Sequence, residues 1–383
     1  MLGVGFATAA LVIVLSVFNG IGGLLRSLYG AFDPPLKVVL VKGKSFEFDH
    51  ATATKIRTLE GVEVLTEVIE DFVYLRNKTN SGSADVVVTM KAVSEDFMRQ
   101  HRMERYITEG EFILKRDSFP CAIVGAGVRN TLSVNVSSDV FPMQIFYVRS
   151  GKSAGLDPTS MYASRQVLPC GVFMIEKAFD ENYILVPLSL GESLLNYYGR
   201  RTSLEIKPKG DADMDELMGS IKAIMGKDFA VLTDAEQHKD LYRLLKLEKV
   251  FTFLALALLI VVATINIFFS LMMLVIDKRK DISILRSVGA SRSLVHRIFI
   301  TEAFLVAGYG TVAGLLVGIF ICYLQQTVGL IGMGMENAVV ANYPVSMQWE
   351  DIVLILIFNL LVTLAVSWYP ARRAASTFDP QFL

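Results

Sequence analysis

Four long apolar blocks constrain this 383-residue chain more than any other feature. The first is Met1 to Leu25, with no charge before Arg26, and the second is Val250 to Ile276, also uncharged. The third runs from about Ile298 to Gln325 with Glu302 near its start, and the fourth from Ile352 to Ala371. A helix of about 20 apolar residues, rising about 1.5 Å per residue, crosses a bilayer, so each block is long enough to span. With 52% of residues hydrophobic and gathered in these blocks, the expected fold class is an α-helical membrane protein with four transmembrane helices. Block one lacks the positive n-region and clear cleavage site of a signal peptide, so it reads as a retained span. The chain enters it almost at once, which leaves room for a short cytoplasmic lead ahead of Met1.

The loops set the expected orientation. Lys278, Arg279, Lys280, Arg286, Arg292 and Arg297 lie between blocks two and three, and Arg372 and Arg373 follow block four. The connection from Thr327 to Glu350 holds no Lys or Arg. Positive charge marks the cytoplasmic side. Both termini are therefore expected in the cytoplasm, and the segment from about Asp33 to Lys249 on the far side, as an α+β extracytoplasmic domain inserted between helices 1 and 2.

The two ends of that segment share a pattern. "LKVVLVKGKSFEFDHATATKIRTLEGVEVLTEV" and "TSLEIKPKGDADMDELMGSIKAIMGKDFAVLTD" each predict a strand, a Lys-Gly turn, a helix with an acidic start, and a second strand. Two such units commonly pair into one split α/β sheet. Between them, "CAIVGAGV", "VFPMQIFYV", "CGVFMI" and "NYILVPL" predict a β-rich insertion. Arg149 to Pro169 is the least strand-like part and reads as a projecting loop with Met161 and Tyr162 near its tip, either a partner contact or a plain surface loop. Cys121 and Cys170 fall in this region, and their pairing is left open. Cys322 lies in a span as a packing residue.

No catalytic constellation emerges. Gly43-Lys44-Ser45 and Gly151-Lys152-Ser153 lack the upstream glycine of a phosphate loop, with Val38 and Phe146 in its place. His50, His101, His238 and His296 are scattered without metal-ligand spacing. H-E-x-x-H does not occur. Glu302 near a span end reads as a snorkelling carboxylate rather than a proton path. A net charge of −1 and the lack of a basic stripe argue against nucleic acid. The expectation is a non-enzymatic subunit with no cofactor and no metal.

The stretch "DKRKDISILRSVGASRSLVHRIFI", Asp277 to Ile300, is more telling. Ile282, Leu285 and Val288 recur at helical spacing and predict one apolar face, with Lys278, Lys280 and Arg286 largely off it. Gly289 suits a left-handed C-terminal cap, and Ser291 or Ser293 can cap the helix that follows. A short stiff helix bonded to two spans suits a lever. A helix lying on anionic lipid has the same periodicity.

At these residues the chain resembles a known superfamily. "DKRKDISILRSVGASRSLVHRIFITEAFLVAGYGTVAG", "YPARRAA" (Tyr369 to Ala375) and "ALVIVLSVFNG" (Ala10 to Gly20) are similar to segments of the FtsX-like/MacB-like permeases. The Asn-Gly ending and the span spacing look most like the lipoprotein-releasing permeases of the LolC and LolE type. That resemblance implies a division into a first transmembrane helix (1–32), a periplasmic domain (33–249) and an FtsX-like permease domain (250–383). The periplasmic domain would hold porter-like halves at 36–109 and 202–235 around the insertion 110–201, and the permease domain a coupling helix at 278–290.

It also implies partners: a cytoplasmic ABC ATPase dimer, a second permease subunit, lipoproteins, a periplasmic lipoprotein carrier chaperone and membrane lipid. The setting would be the inner membrane of a Gram-negative bacterium. Asp281, Ile282, Leu285, Arg286, Gly289, Ala290 and Ser291 would meet the ATPase, and motion rather than a channel would do the work. Val14, Val17, Phe18, Phe253, Leu254 and Ala257 would line the cavity for acyl chains, although the same residues suit any helix bundle. Pro158, Met161 and Tyr162 stand where such permeases carry their chaperone loop, with a different sequence. An efflux permease or a cell-division regulator of the same superfamily is the alternative, and an anchored sensor or adhesin a more distant one that leaves the stiff helix without a role.

Overall fold

The computed structural model describes residues 2–79, 82–136, 142–148, 162–333 and 342–376. Two compact units emerge, one of Met1–Leu25 with Asp240–Leu383 and one of Arg26–Lys239. Helix α1 (Leu2–Phe32) opens the chain, and its last turns, from Arg26 on, belong to the second unit.

The second unit follows with β1 (Leu36–Leu40), β2 (Phe46–Glu47), α2 (His50–Arg57), β3 (Val62–Thr79) and β4 (Gly82–Val93). After two 3-10 turns (Glu95–Gln100 and Glu104–Tyr106) come β5 (Ile107–Gly110), β6 (Lys115–Arg116), β7 (Phe119–Gly125), α3 (Ala126–Leu132) and β8 (Met143–Val148). Next are β9 (Tyr162–Phe173), α4 (Lys177–Asp180), β10 (Tyr183–Pro187) and α5 (Leu188–Leu195). The unit closes with β11 (Arg200–Arg201), β12 (Ser203–Pro208), α6 (Met214–Met225), β13 (Phe229–Thr233) and α7 (Asp234–Gln237).

Among the described residues these strands form an 11-stranded sheet along the path β13-β1-β12-β3-β4-β10-β7-β9-β5, with β6 beside β7, and β8 bridging β3 and β9. Its first four strands are antiparallel, and α2 and α6 make the crossovers, which is a split β-α-β pair. Both crossover helices start where carboxylates accept orphan N–H groups: Asp49 from Thr52, and Asp213 from Asp215 and Glu216. Ala53, Ile56, Leu217 and Ile221 cover one sheet face at Leu36, Val38, Leu204 and Ile206. The 18-residue β3 joins the halves, pairing with β12 through Val68 and with β4 from there on.

The other half mixes parallel and antiparallel pairs around a core of Ile69, Leu75, Met90, Val124, Val128, Leu132 and Leu194. Each of the four predicted β runs of the insertion holds a strand among the described residues, and α3, α4 and α5 punctuate them, so the segment is mixed in composition. Cys121 and Cys170 form a disulfide between neighbouring β7 and β9, with Cα atoms 5.5 Å apart. The expected loop over Arg149–Pro169 is corrected in part: from Tyr162 on it is strand β9, paired with β8 and β7, and residues 149–161 lie outside the described residues.

The first unit consists of α1 up to Leu25, α8 (Lys239–Asp277), α9 (Arg279–Ser287), α10 (Arg292–Val328) and α11 (Trp349–Ser376). Among the described residues α1, α8, α10 and α11 are long and apolar enough to cross a membrane. Each outruns its apolar block. α8 begins in the charged stretch from Lys239 and runs without a break through the expected boundary at 249/250. α11 continues through Pro370 to Ser376. Small residues set the closest approach: a Cβ on Gly314 of α10 would run into the Gly5 carbonyl of α1.

Candidate functional site

The elbow between α8 and α10 is short, and Ser291 caps the helix that leaves it. α9 is backed by N–H donation from Lys278 to the Leu274 carbonyl and from Ile282 to Lys278. Gly289 and Ala290 donate to Arg286 and Leu285 as the helix ends, with Gly289 at φ +100°. Ser291 then caps α10, accepting from the Leu294 N–H. The expected single apolar face of α9 is corrected. Ile282, 5% exposed, packs inward on Val275, Val295, Phe299, Ala371 and Ala374. Leu285 and Val288 stand outward at 41% and 83%, beside an exposed Ile284.

One side chain thus pins α9 to α8, α10 and α11, while the opposite side offers apolar atoms. Asp281 is exposed and pairs with Lys278 at 3.0 Å, Arg286 is half-buried, and Gly289, Ala290 and Ser291 sit at the turn. "YPARRAA" gains a physical meaning here, since Ala371 and Ala374 form the seat for Ile282.

The apolar residues expected to line a cavity separate by environment. Val14, Val17 and Phe18 are half-buried on α1. Ala257 is buried between helices, and Phe253 packs edge-on to Phe358 at 5.7 Å. Leu254, 57% exposed, faces outward. The Asn-Gly motif next to them is polar and tight. Asn19 donates to Asp351 at 2.6 Å and accepts from Lys249 at 2.8 Å, and Lys249 also pairs with Asp351 at 3.0 Å. A Cβ on Gly20 would run into the Pro344 carbonyl. Sequence reasoning missed this Lys249–Asn19–Asp351 set. Its only signal was a charge at the edge of each of two apolar blocks.

Pro158 and Met161 lie outside the described residues. Tyr162 opens β9 and joins Phe72, Tyr74, Val87, Phe146 and Val148 around an open groove of about 590 Å³. Phe72, Val87 and Val148 are largely exposed there, and Arg76 stacks over Phe146 while pairing with Asp85. No group of His, Cys, Asp and Glu among the described residues has the geometry to hold a metal.

Four helices of bilayer length, a pinned elbow between α8 and α10, and an α/β unit between the first two helices in sequence set the class of protein as an α-helical membrane protein with an inserted domain. Residues 253–377 match the family described as FtsX-like permease C-terminal. That segment therefore carries an FtsX-like permease domain. The chain is similar over its whole length to "Lipoprotein-releasing system transmembrane protein LolE" of Haemophilus influenzae, at 24% identity over 100% of this chain and 92% of that protein. "Lipoprotein-releasing system transmembrane protein LolC" of Buchnera aphidicola is 22% identical, again over 100% of this chain and 92% of its own. The crystal structure of the periplasmic region of MacB from Actinobacillus actinomycetemcomitans matches with a TM-score of 0.39 at 11% identity, covering 54% of this chain and 92% of that one.

Proposed function

We propose that this chain is a permease subunit that extracts outer-membrane lipoproteins from the inner membrane, driven by an ATPase on a separate chain. The observation that carries the reading is the extent of the likeness to LolE. It runs through all of this chain rather than stopping at 253–377, so it includes the α/β unit as well as the spans.

In this reading the termini and the elbow are cytoplasmic and the unit between α1 and α8 is periplasmic, following the positive charge around the elbow and after α11. The ATPase grips α9 at Leu285, Val288 and the Gly289–Ser291 turn, and Ile282 passes the push to three long helices. The work is mechanical: helix movement shifts the periplasmic domain instead of opening a channel. Acyl chains of the lipoprotein enter beside Val14, Val17, Phe18, Phe253 and Leu254, where an apolar lining removes the cost of exposing them to water. Ala257 is too enclosed to touch them and sets helix spacing instead. Cargo then passes to a periplasmic carrier chaperone near Pro158, Met161 and Tyr162. A second permease subunit, the same or paralogous, completes the membrane assembly.

The test is depletion of the protein followed by separation of inner and outer membranes. Lipoproteins stranded in the inner membrane are the expected result. Normal sorting would overturn the cargo assignment while leaving an ATP-driven permease.

A further inference from the structure

Within the second unit, the end of α1 and the residues just before α8 meet at one buried charge cluster. Strand register builds it. Lys37 of β1 stands opposite Glu205 of β12, and Glu70 of β3 opposite Lys91 of β4. Strand alternation puts Lys37 and Glu205 on the sheet face away from α2 and α6, because Leu36, Val38, Leu204 and Ile206 point toward those helices. Lys91 and Glu205 are fully buried and pair at 2.7 Å. Arg102 takes the second oxygen of Glu205, and Lys37 pairs with Glu70 at 3.5 Å.

This cluster receives α1 directly. The Lys91 ammonium donates to the Phe32 carbonyl at 3.1 Å and lies 4.3 Å from the centre of the Phe32 ring. Phe32 is the last residue of α1, so the cation sits at the negative end of the helix dipole. The next residue, Asp33, pairs at 3.1 Å with His238, the residue before α8. Gln237 donates to the Pro34 carbonyl at 2.9 Å, and the Tyr29 ring stands edge-on to His238 at 4.4 Å. Burial pushes the Asp33 carboxyl up, but His238, Lys91 and Lys37 outweigh it and hold it down at about 2.

Buried ion pairs are a poor route to stability, since an apolar core of the same volume serves as well or better. Their gain is a single directional fit. We propose that Lys91, Glu205, Asp33 and His238 are positioning residues that lock the last turn of α1 and the residues leading into α8 to the sheet, so that these two chain entries and strands β1, β4 and β12 move as one body. This rests on the ATP-driven reading above and names the residues through which a stroke reaches the periplasmic domain.

The test uses the full permease reconstituted with its ATPase in proteoliposomes. Asp33→Asn, His238→Gln and the double variant are compared for ATP hydrolysis, for lipoprotein released per ATP, and for the vanadate-induced change in hydrogen exchange of residues 203–208. Hydrolysis is expected to stay within about twofold while release per ATP falls about tenfold, the double variant being no worse than either single one. The exchange response at 203–208 is expected to vanish with it. Lys91→Met combined with Glu205→Gln removes both charges of the central pair and leaves the Gln carbonyl as an acceptor for Arg102, so it reads the same loss if the single variants fold poorly. Release and exchange response both kept at the wild-type level in these variants would overturn the lock. A wild-type protein that shows the exchange response but releases no lipoprotein would defeat the cargo reading, and loss of that response in the variants would still support the lock.

Discussion

At the scale of single residues, the charges in the second unit divide by sign of effect. Removing Glu205 strips buried Lys91 and Arg102 of their shared carboxylate, whereas removing Lys91 leaves Glu205 with Arg102 as its remaining partner. Glu205→Gln alone is expected to cost about 3–5 kcal/mol, and Lys91→Met less, because Arg102 still compensates the carboxylate. Thermal unfolding of the detergent-solubilised chain reads both. Two carboxylates give opposite pH trends. Asp33 is held at about 2, below its ordinary 3.8, so its contribution is full above that ordinary value and is lost as pH falls through about 2. Asp180 is pushed up to about 6, chiefly by burial, with the Ile175 and Glu176 N–H groups offsetting only part. Its contribution is full below 3.8 and is lost as pH rises through about 6. Asp180→Asn should therefore flatten the fall in melting temperature between about pH 4 and pH 7, whereas Asp33→Asn should lower it at neutral pH. An unchanged pH profile in Asp180→Asn would remove this assignment. None of these charges stood out in the sequence. A lysine in "VVVTMKAV" and a glutamate in "TSLEIKP" look like solvated strand positions until register sets them on one covered face.

At the scale of elements, the caps, the crossovers and the four long helices were legible because each rests on local chemistry. Gly289 is such a case, predicted as a left-handed cap and found at φ +100°. What the α9 helix faces was not legible. Periodicity says that Ile282, Leu285 and Val288 are neighbours, and only the seat built by α8, α10 and α11 separates the inward one from the outward two. The Gly289 position is open, and a Cβ added there would meet nothing within 4 Å, so substitution acts through the backbone alone. Gly289→Val is expected to cost about 1–2 kcal/mol locally and to distort the turn. With Arg286→Glu as a charge reversal on the same surface, both should lower ATP-coupled transport while membrane insertion stays intact. Transport at wild-type level in both would rule out the elbow as the point of coupling. Gly314→Leu tests a different contact, since its side chain would enter the Gly5 carbonyl of α1. It should loosen α1 from α10, read as faster protease cleavage of the reconstituted chain.

At the scale of the whole molecule, charge distribution and redox chemistry bear on the same question from independent directions. Lys and Arg around the elbow and after α11 argue that those segments face the cytoplasm. The Cys121–Cys170 disulfide argues that the unit holding it meets an oxidising compartment, because cytosolic thiols are kept reduced. The sequence left this pair open, since two cysteines 49 residues apart say nothing of distance until β7 and β9 pair in parallel. By the chain-entropy argument a loop of that length contributes about 4 kcal/mol, so reduction should lower the unfolding temperature of the domain measurably. The sharper test counts thiols. In the protein denatured in alkylating reagent without reductant, Cys121 and Cys170 should stay unmodified while Cys322 reacts, and reduction should expose two further alkylation sites. Cys322, buried in the helix bundle, serves as the internal reference that reacts only on unfolding. Reactive thiols at 121 and 170 before reduction would place that unit on the reducing side. The α9 elbow would then point away from the ATP-containing compartment, and the mechanical reading would fail with the topology.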